Sequence, residues 1–172
     1  MMFFHFVRIS STHPLIPKAQ KNPIAPALLS ISGYSMHPSF DLSTPNLGHS
    51  GTRGVGIYPA VNLKVTELHL AHSSVENSWV RLCLAGSDSL LVGCVYRSPS
   101  GVLQGSVNQL EELFQQACSL QASHLIIVGD FNIPHINWES EASSAPASHF
   151  SHIFLDMMHD SLFSQHVKHP TR

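Results

Sequence analysis

Six of the eleven prolines lie within the first 50 residues, together with only four charged side chains. Proline fixes φ and lacks a backbone donor, so neither a long helix nor a central strand can form across such a stretch. This divides the chain. Residues 1–32 are expected to be poorly ordered, and residues 33–172 are expected to hold the folded domain, with Tyr34 and Phe40 as anchors for irregular chain that docks onto it. A length of 172 residues suits one domain, and a hydrophobic share of 43% is ample for its core. The charge balance of 9 Lys+Arg against 11 Asp+Glu gives −2. That excludes binding through a basic tail, so any nucleic-acid function needs a local site.

From Arg53 onward the pattern is that of regular structure. Gly54-Val-Gly-Ile-Tyr58 is a short apolar run ended by Pro59-Ala60. Val61, Leu63 and Val65 alternate with polar residues, the period of a half-buried strand. Ser78–Leu84 and Leu90–Tyr96 read as two further strands joined by the hairpin loop Ala85–Ser89. An amphipathic helix is expected over 107–122, opened by a Ser106/Gln109 capping box, with Val107, Leu110, Phe114, Ala117 and Leu120 on one face. His124–Val128 is a continuous β-branched run of the kind found in a strand covered on both sides. A second helix is expected over 148–159, with Phe150, Ile153, Phe154 and Met157 inward. This order of strands, helix and buried strand argues for an α/β sandwich.

Cys83, Cys94 and Cys118 lie in apolar settings without zinc-site spacing, and are expected to be buried free thiols in a reducing compartment. No apolar stretch approaches the ~20 residues of a membrane span, so no membrane partner is expected. Met1–Ile9 is apolar but interrupted by His5 and Arg8, which argues against a leader or anchor. The 13 histidines are scattered. His149/His152 and His166/His169 stand three apart, a spacing open to a metal, but no Cys or Glu completes either set, and structural roles are expected.

The segment that carries chemistry is Leu125-Ile-Ile-Val-Gly-Asp-Phe-Asn132. A buried strand ends at Gly129 and delivers Asp130 and Asn132 at its carboxyl end, where α/β folds build their sites. A carboxylate can take a proton from water or hold a metal, and an amide both donates and accepts. Taken alone, Gly-Asp-x-Asn equally suits a β-turn. Val95-Tyr-Arg-Ser-Pro99 ends another strand, so Tyr96 and Arg97 can face the same edge as donors to a phosphodiester. Tyr96 can also be an aromatic that merely packs on the sheet. Trp79 and Trp138 are expected to be structural rather than DNA-stacking.

With Gly54-Val-Gly-Ile-Tyr58, Ser78-Trp79-Val80, Val95-Tyr-Arg-Ser-Pro99, Val128-Gly-Asp-Phe-Asn132, Trp138 and Pro170-Thr-Arg172 in this order, the chain resembles a known family. It is similar to the endonuclease/exonuclease/phosphatase domain of LINE-type (non-LTR, jockey-like) retrotransposon polyproteins, across roughly 33–172 and most strongly across 54–140. The resemblance implies a deoxyribonuclease I-like fold, two packed β-sheets flanked by helices, present here as a partial four-layer α/β sandwich. It implies Mg²⁺-dependent cleavage of DNA phosphodiesters, a reverse transcriptase domain in the parent polyprotein, and an intracellular, nuclear setting. It implies Asp130 as the carboxylate that activates water or holds metal, Asn132 as its orienting partner, and Tyr96 as transition-state donor. Arg97 is the implied contact to a DNA phosphate.

The pattern also departs from the family's. A metal-binding Glu is expected before the Gly-Val-Gly-Ile-Tyr segment, yet the first glutamate is Glu67. A Ser-Asp-His motif is expected beyond Pro-Thr-Arg, where this sequence stops, and the reversed pair His159-Asp160 does not replace it. The expectation is therefore a truncated domain, intact in its middle, with weak Mg²⁺ binding and little or no activity. Two other readings stay open: a non-catalytic remnant of a mobile element, and a phosphatase of the same fold acting on a lipid or inositol phosphate.

Overall fold

The computed structural model describes residues 32–35, 37–39, 55–70, 75–97 and 103–167. The expected proline-rich segment 1–32 lies outside them apart from its last residue, as do Phe40, Gly54, Ser98-Pro99 and Pro170–Arg172. Among the described residues no helix is long and apolar enough to cross a membrane.

The described elements run β1 (His37–Ser39), β2 (Val55–Ile57), β3 (Val65–Leu68), β4 (Glu76–Cys83), β5 (Ser89–Tyr96), α1 (Leu103–Ser119), β6 (His124–Asp130), β7 (Ile136–Asn137), β8 (Ala142–Ser143) and α2 (Phe150–Asp160). β3, β4, β5 and β6 form a four-stranded sheet in that order. The first two pairings are antiparallel; β5 and β6 run parallel, joined by the α1 crossover that parallel strands require. β1 pairs with β2, and β7 with β8, as two small antiparallel sheets.

The large sheet is covered on both faces over its centre. On one face Trp79, Leu91 and Val95 pack with Leu110, Leu113, Phe114 and Ala117 of α1 and with Phe150, Phe154 and Met157 of α2. On the other, Val80, Leu82 and Val92 pack with Ile57 of β2. The outcome is a mixed α/β structure, compatible with a sandwich, in which a helix layer, a four-stranded sheet and a two-stranded sheet succeed one another. Trp79 is 1% exposed, and its Nε1 donates to Asn77 Oδ1 (2.9 Å), whose Nδ2 donates to the Val75 carbonyl (2.7 Å). A large ring is thereby buried without an orphaned polar atom. A Cβ on Gly93 would collide with that ring, which explains the glycine in mid-strand.

Several expectations are corrected. The strand expected from Val61 begins only at Val65, because the Leu63 N–H bonds the Ala60 carbonyl (3.0 Å) and closes a turn that leaves Val61 exposed. α1 starts at Leu103, so Ser106 and Gln109 lie inside it rather than capping it. It ends at Ser119, where Gln121 takes a left-handed φ of 51° and stops the helix short of 122. Among the described residues β6 is covered on one face rather than both: Leu125 and Ile127 pack into the helix-side core, whereas Ile126 on the opposite face is exposed. β1 contacts β4, and β2 contacts β4 and β5. Cys83 and Cys118 are exposed rather than buried, one closing β4 at the hairpin and the other on the outer side of α1. Cys94 alone is largely enclosed, and burial pushes its thiol up to about 11.

Candidate active site

Three strand ends meet at one edge of the large sheet. β5 ends at Tyr96 and β6 at Asp130, and the parallel register pairs these two residues. β4 begins at Glu76, which pairs with Tyr96 from the other side. Glu76, Tyr96 and Asp130 thus form one transverse row, all half-buried, with neighbouring strands about 4.8 Å apart. Glu76 escapes a reading of the sequence that starts its strand at Ser78. Counting back two residues at a time from Val80 is the signal that finds it.

The chain leaves β6 through a tight turn. Gly129 has φ 152°, and a Cβ there would collide with the Val95 carbonyl oxygen, so only glycine fits against β5 at this point. Asn132 takes a left-handed φ of 50°, which asparagine tolerates better than most residues. Its backbone N–H donates to Asp130 Oδ1 (3.2 Å), and its side-chain Nδ2 donates to the Arg97 carbonyl (2.6 Å). One of the two Nδ2 hydrogens is thereby engaged, and the Asn132 side chain keeps a second N–H as donor and Oδ1 as acceptor.

Arg97 sits beneath this turn and is 1% exposed. Its backbone N–H donates to the Asp130 carbonyl (3.0 Å), and Nη1 donates to the carbonyls of Phe131 (3.1 Å) and Asn132 (3.0 Å). Its guanidinium lies 4.7 Å from the Phe150 ring centroid at the start of α2. Burial lowers its pKa, yet an arginine remains cationic. Phe150 stacks in turn on His149 (4.1 Å), and His149 meets His135 edge-on (4.9 Å). His149 caps α2: its Nδ1 accepts from the Ser151 N–H (3.2 Å). Burial, then the positive charges of His135, His152 and Arg97, hold its pKa below the usual histidine range.

All four residues expected from sequence therefore assemble at one edge. Tyr96, Asp130 and Asn132 are partly open to it, whereas Arg97 is buried beneath the turn. Trp79 and Trp138 are core residues, the latter edge-on to Phe154 at 6.3 Å. His135 is exposed, and its carbonyl accepts from the Ser144 N–H (2.9 Å). Among the described residues no group of three or more His, Cys, Asp or Glu is arranged to hold a metal ion.

Comparison with known families bears on the same edge. Residues 90–172 match the family model described as Endonuclease-reverse transcriptase. This segment, 83 of the chain's 172 residues, is similar to that family. It runs from β5 through α2 and includes Tyr96, Arg97, Asp130 and Asn132; Gly54–Tyr58 and Ser78–Val80 lie outside it. The motif resemblance to the endonuclease domain of retrotransposon polyproteins is shown by this match. No curated protein matches the chain.

Proposed function

We propose that the chain is the central part of a DNA endonuclease domain that hydrolyses phosphodiesters, in a retrotransposon polyprotein that also carries a reverse transcriptase and works in the nucleus. The observation that carries this reading is the pairing of Tyr96 with Asp130 at two adjacent strand ends, with the Asn132 amide held beside them, inside the segment that matches the family. On this reading the full domain is a deoxyribonuclease I-like four-layer sandwich.

The chemistry follows from what each group can offer. The Asp130 carboxylate and Asn132 Oδ1 are both acceptors. A water between them directs one proton to each, which turns a lone pair outward toward phosphorus. Asp130 then takes a proton as the water oxygen bonds to phosphorus, the P–O bond to the leaving strand breaks, and the departing alkoxide takes a proton from solvent water. The Tyr96 hydroxyl donates to a non-bridging phosphoryl oxygen as charge builds there. Arg97 is too deep to reach substrate. The Mg²⁺ implied by the resemblance would rest on Asp130 among these residues and bind weakly, so activity is expected to be low.

Nicking of supercoiled plasmid by the purified chain, with and without added Mg²⁺, tests the reading. Slow nicking that Asp130→Ala reduces by at least ~100-fold is expected. A chain that binds plasmid but never nicks it would instead favour the non-catalytic remnant. Release of phosphate from a lipid or inositol monoester, without nicking, would favour the phosphatase.

A further inference from the structure

Arg97 is the most deeply buried charged side chain at this edge. Four of its hydrogen bonds go to one three-residue turn. The backbone N–H reaches the Asp130 carbonyl, the carbonyl receives Asn132 Nδ2, and Nη1 bridges the carbonyls of Phe131 and Asn132. Both carbonyls meet this one nitrogen across a turn that takes a left-handed bend at Asn132. Phe150 closes the lower side, tying the turn to the first residue of α2.

We propose that Arg97 is a positioning residue. It clamps the 130–132 turn so that the Asp130 carboxylate and Asn132 Oδ1 hold a fixed spacing, and it makes that spacing depend on the seating of α2 through Phe150. This rests on the phosphodiesterase reading for its catalytic meaning. The physical argument is the planar fork: one guanidinium nitrogen satisfies two carbonyls while the plane lies on an aromatic ring. A lysine ammonium, a hydrated point charge, cannot reproduce that geometry. A displacement of about 1 Å at groups that must orient a water costs on the order of 10²-fold in rate.

The experiment compares wild type with Arg97→Lys and with Phe150→Leu, which loosens the clamp without touching the charge. A positioning role predicts that each variant lowers kcat for plasmid nicking by ten- to a hundredfold, with KM changed less than about twofold. It also predicts that the salt dependence of duplex binding keeps its slope. A phosphate contact predicts the reverse: weaker binding, with a slope reduced by about 1 once the charge is removed in a third variant, Arg97→Gln. That result would overturn the proposal. Amide hydrogen exchange over 130–133 separates this from the parent reading. Faster exchange in both variants is expected, and unchanged exchange would also overturn the clamp. If wild type neither binds nor nicks DNA, the phosphodiesterase reading fails and the catalytic role of Arg97 with it, while the exchange result still decides whether the clamp exists.

Discussion

At the scale of the residue, the site depends on backbone conformations that few side chains permit. Gly129 and Asn132 flank the Asp130 carboxylate on either side of Phe131, one pressed against the Val95 carbonyl and the other in a left-handed bend. Gly129→Ala is therefore expected to separate β6 from β5 at their carboxyl ends, because the added methyl meets main chain, which cannot turn aside. The expected cost is at least ~3 kcal/mol of stability, measured by urea denaturation. An alanine variant within about 0.5 kcal/mol of wild type would show that the two strands do not pack this closely. The identities of these residues were legible in the sequence as Gly-Asp-Phe-Asn. What was not legible was that the Asn132 side chain is tied to the Arg97 carbonyl, since that bond spans 35 positions of chain.

At the scale of the element, α2 links the core to the active edge. Its inner face was readable from spacing: Phe150, Phe154 and Met157 are buried as expected, and Ile153 packs beside them. Its start is set by His149, whose Nδ1 must be unprotonated to accept from Ser151. Because the pKa of His149 is depressed in the fold, the unfolded chain binds this proton more readily. The stabilisation it provides is complete above its unfolded pKa of about 6.5 and is lost as pH falls through the lower folded value. The thermal midpoint should drop between pH 7.5 and pH 5.5 more steeply in wild type than in His149→Asn, which keeps a capping acceptor that does not titrate. Parallel slopes would sink this account. The start of α1 shows the converse: Ser106/Gln109 has the spacing of a capping box, yet the helix begins at Leu103. A cap motif marks one place where a helix can start, and tertiary packing of the preceding turn can carry the helix further.

At the scale of the molecule, the large sheet ends on β6, whose outer edge pairs with nothing among the described residues and whose outer face exposes Ile126. An apolar strand open at edge and face is a template for a second chain. The isolated chain is expected to self-associate with rising concentration, and Ile126→Lys to suppress this, as read by size-exclusion chromatography with light scattering. A wild-type chain that stays monomeric across a hundredfold concentration range would contradict it. The sequence alone determined the local elements, because alternation and helical spacing are written in neighbouring residues. It also determined which side chains could do phosphodiester chemistry, because Tyr-Arg-Ser-Pro and Gly-Asp-Phe-Asn are contiguous. The tertiary structure alone decided their arrangement. The parallel register aligned Tyr96 with Asp130 and brought Glu76 beside them, and Arg97 came to lie buried beneath the 130–132 turn. Which face of a strand is covered, and which donor is already used, depends on residues tens of positions away, and no local pattern encodes that.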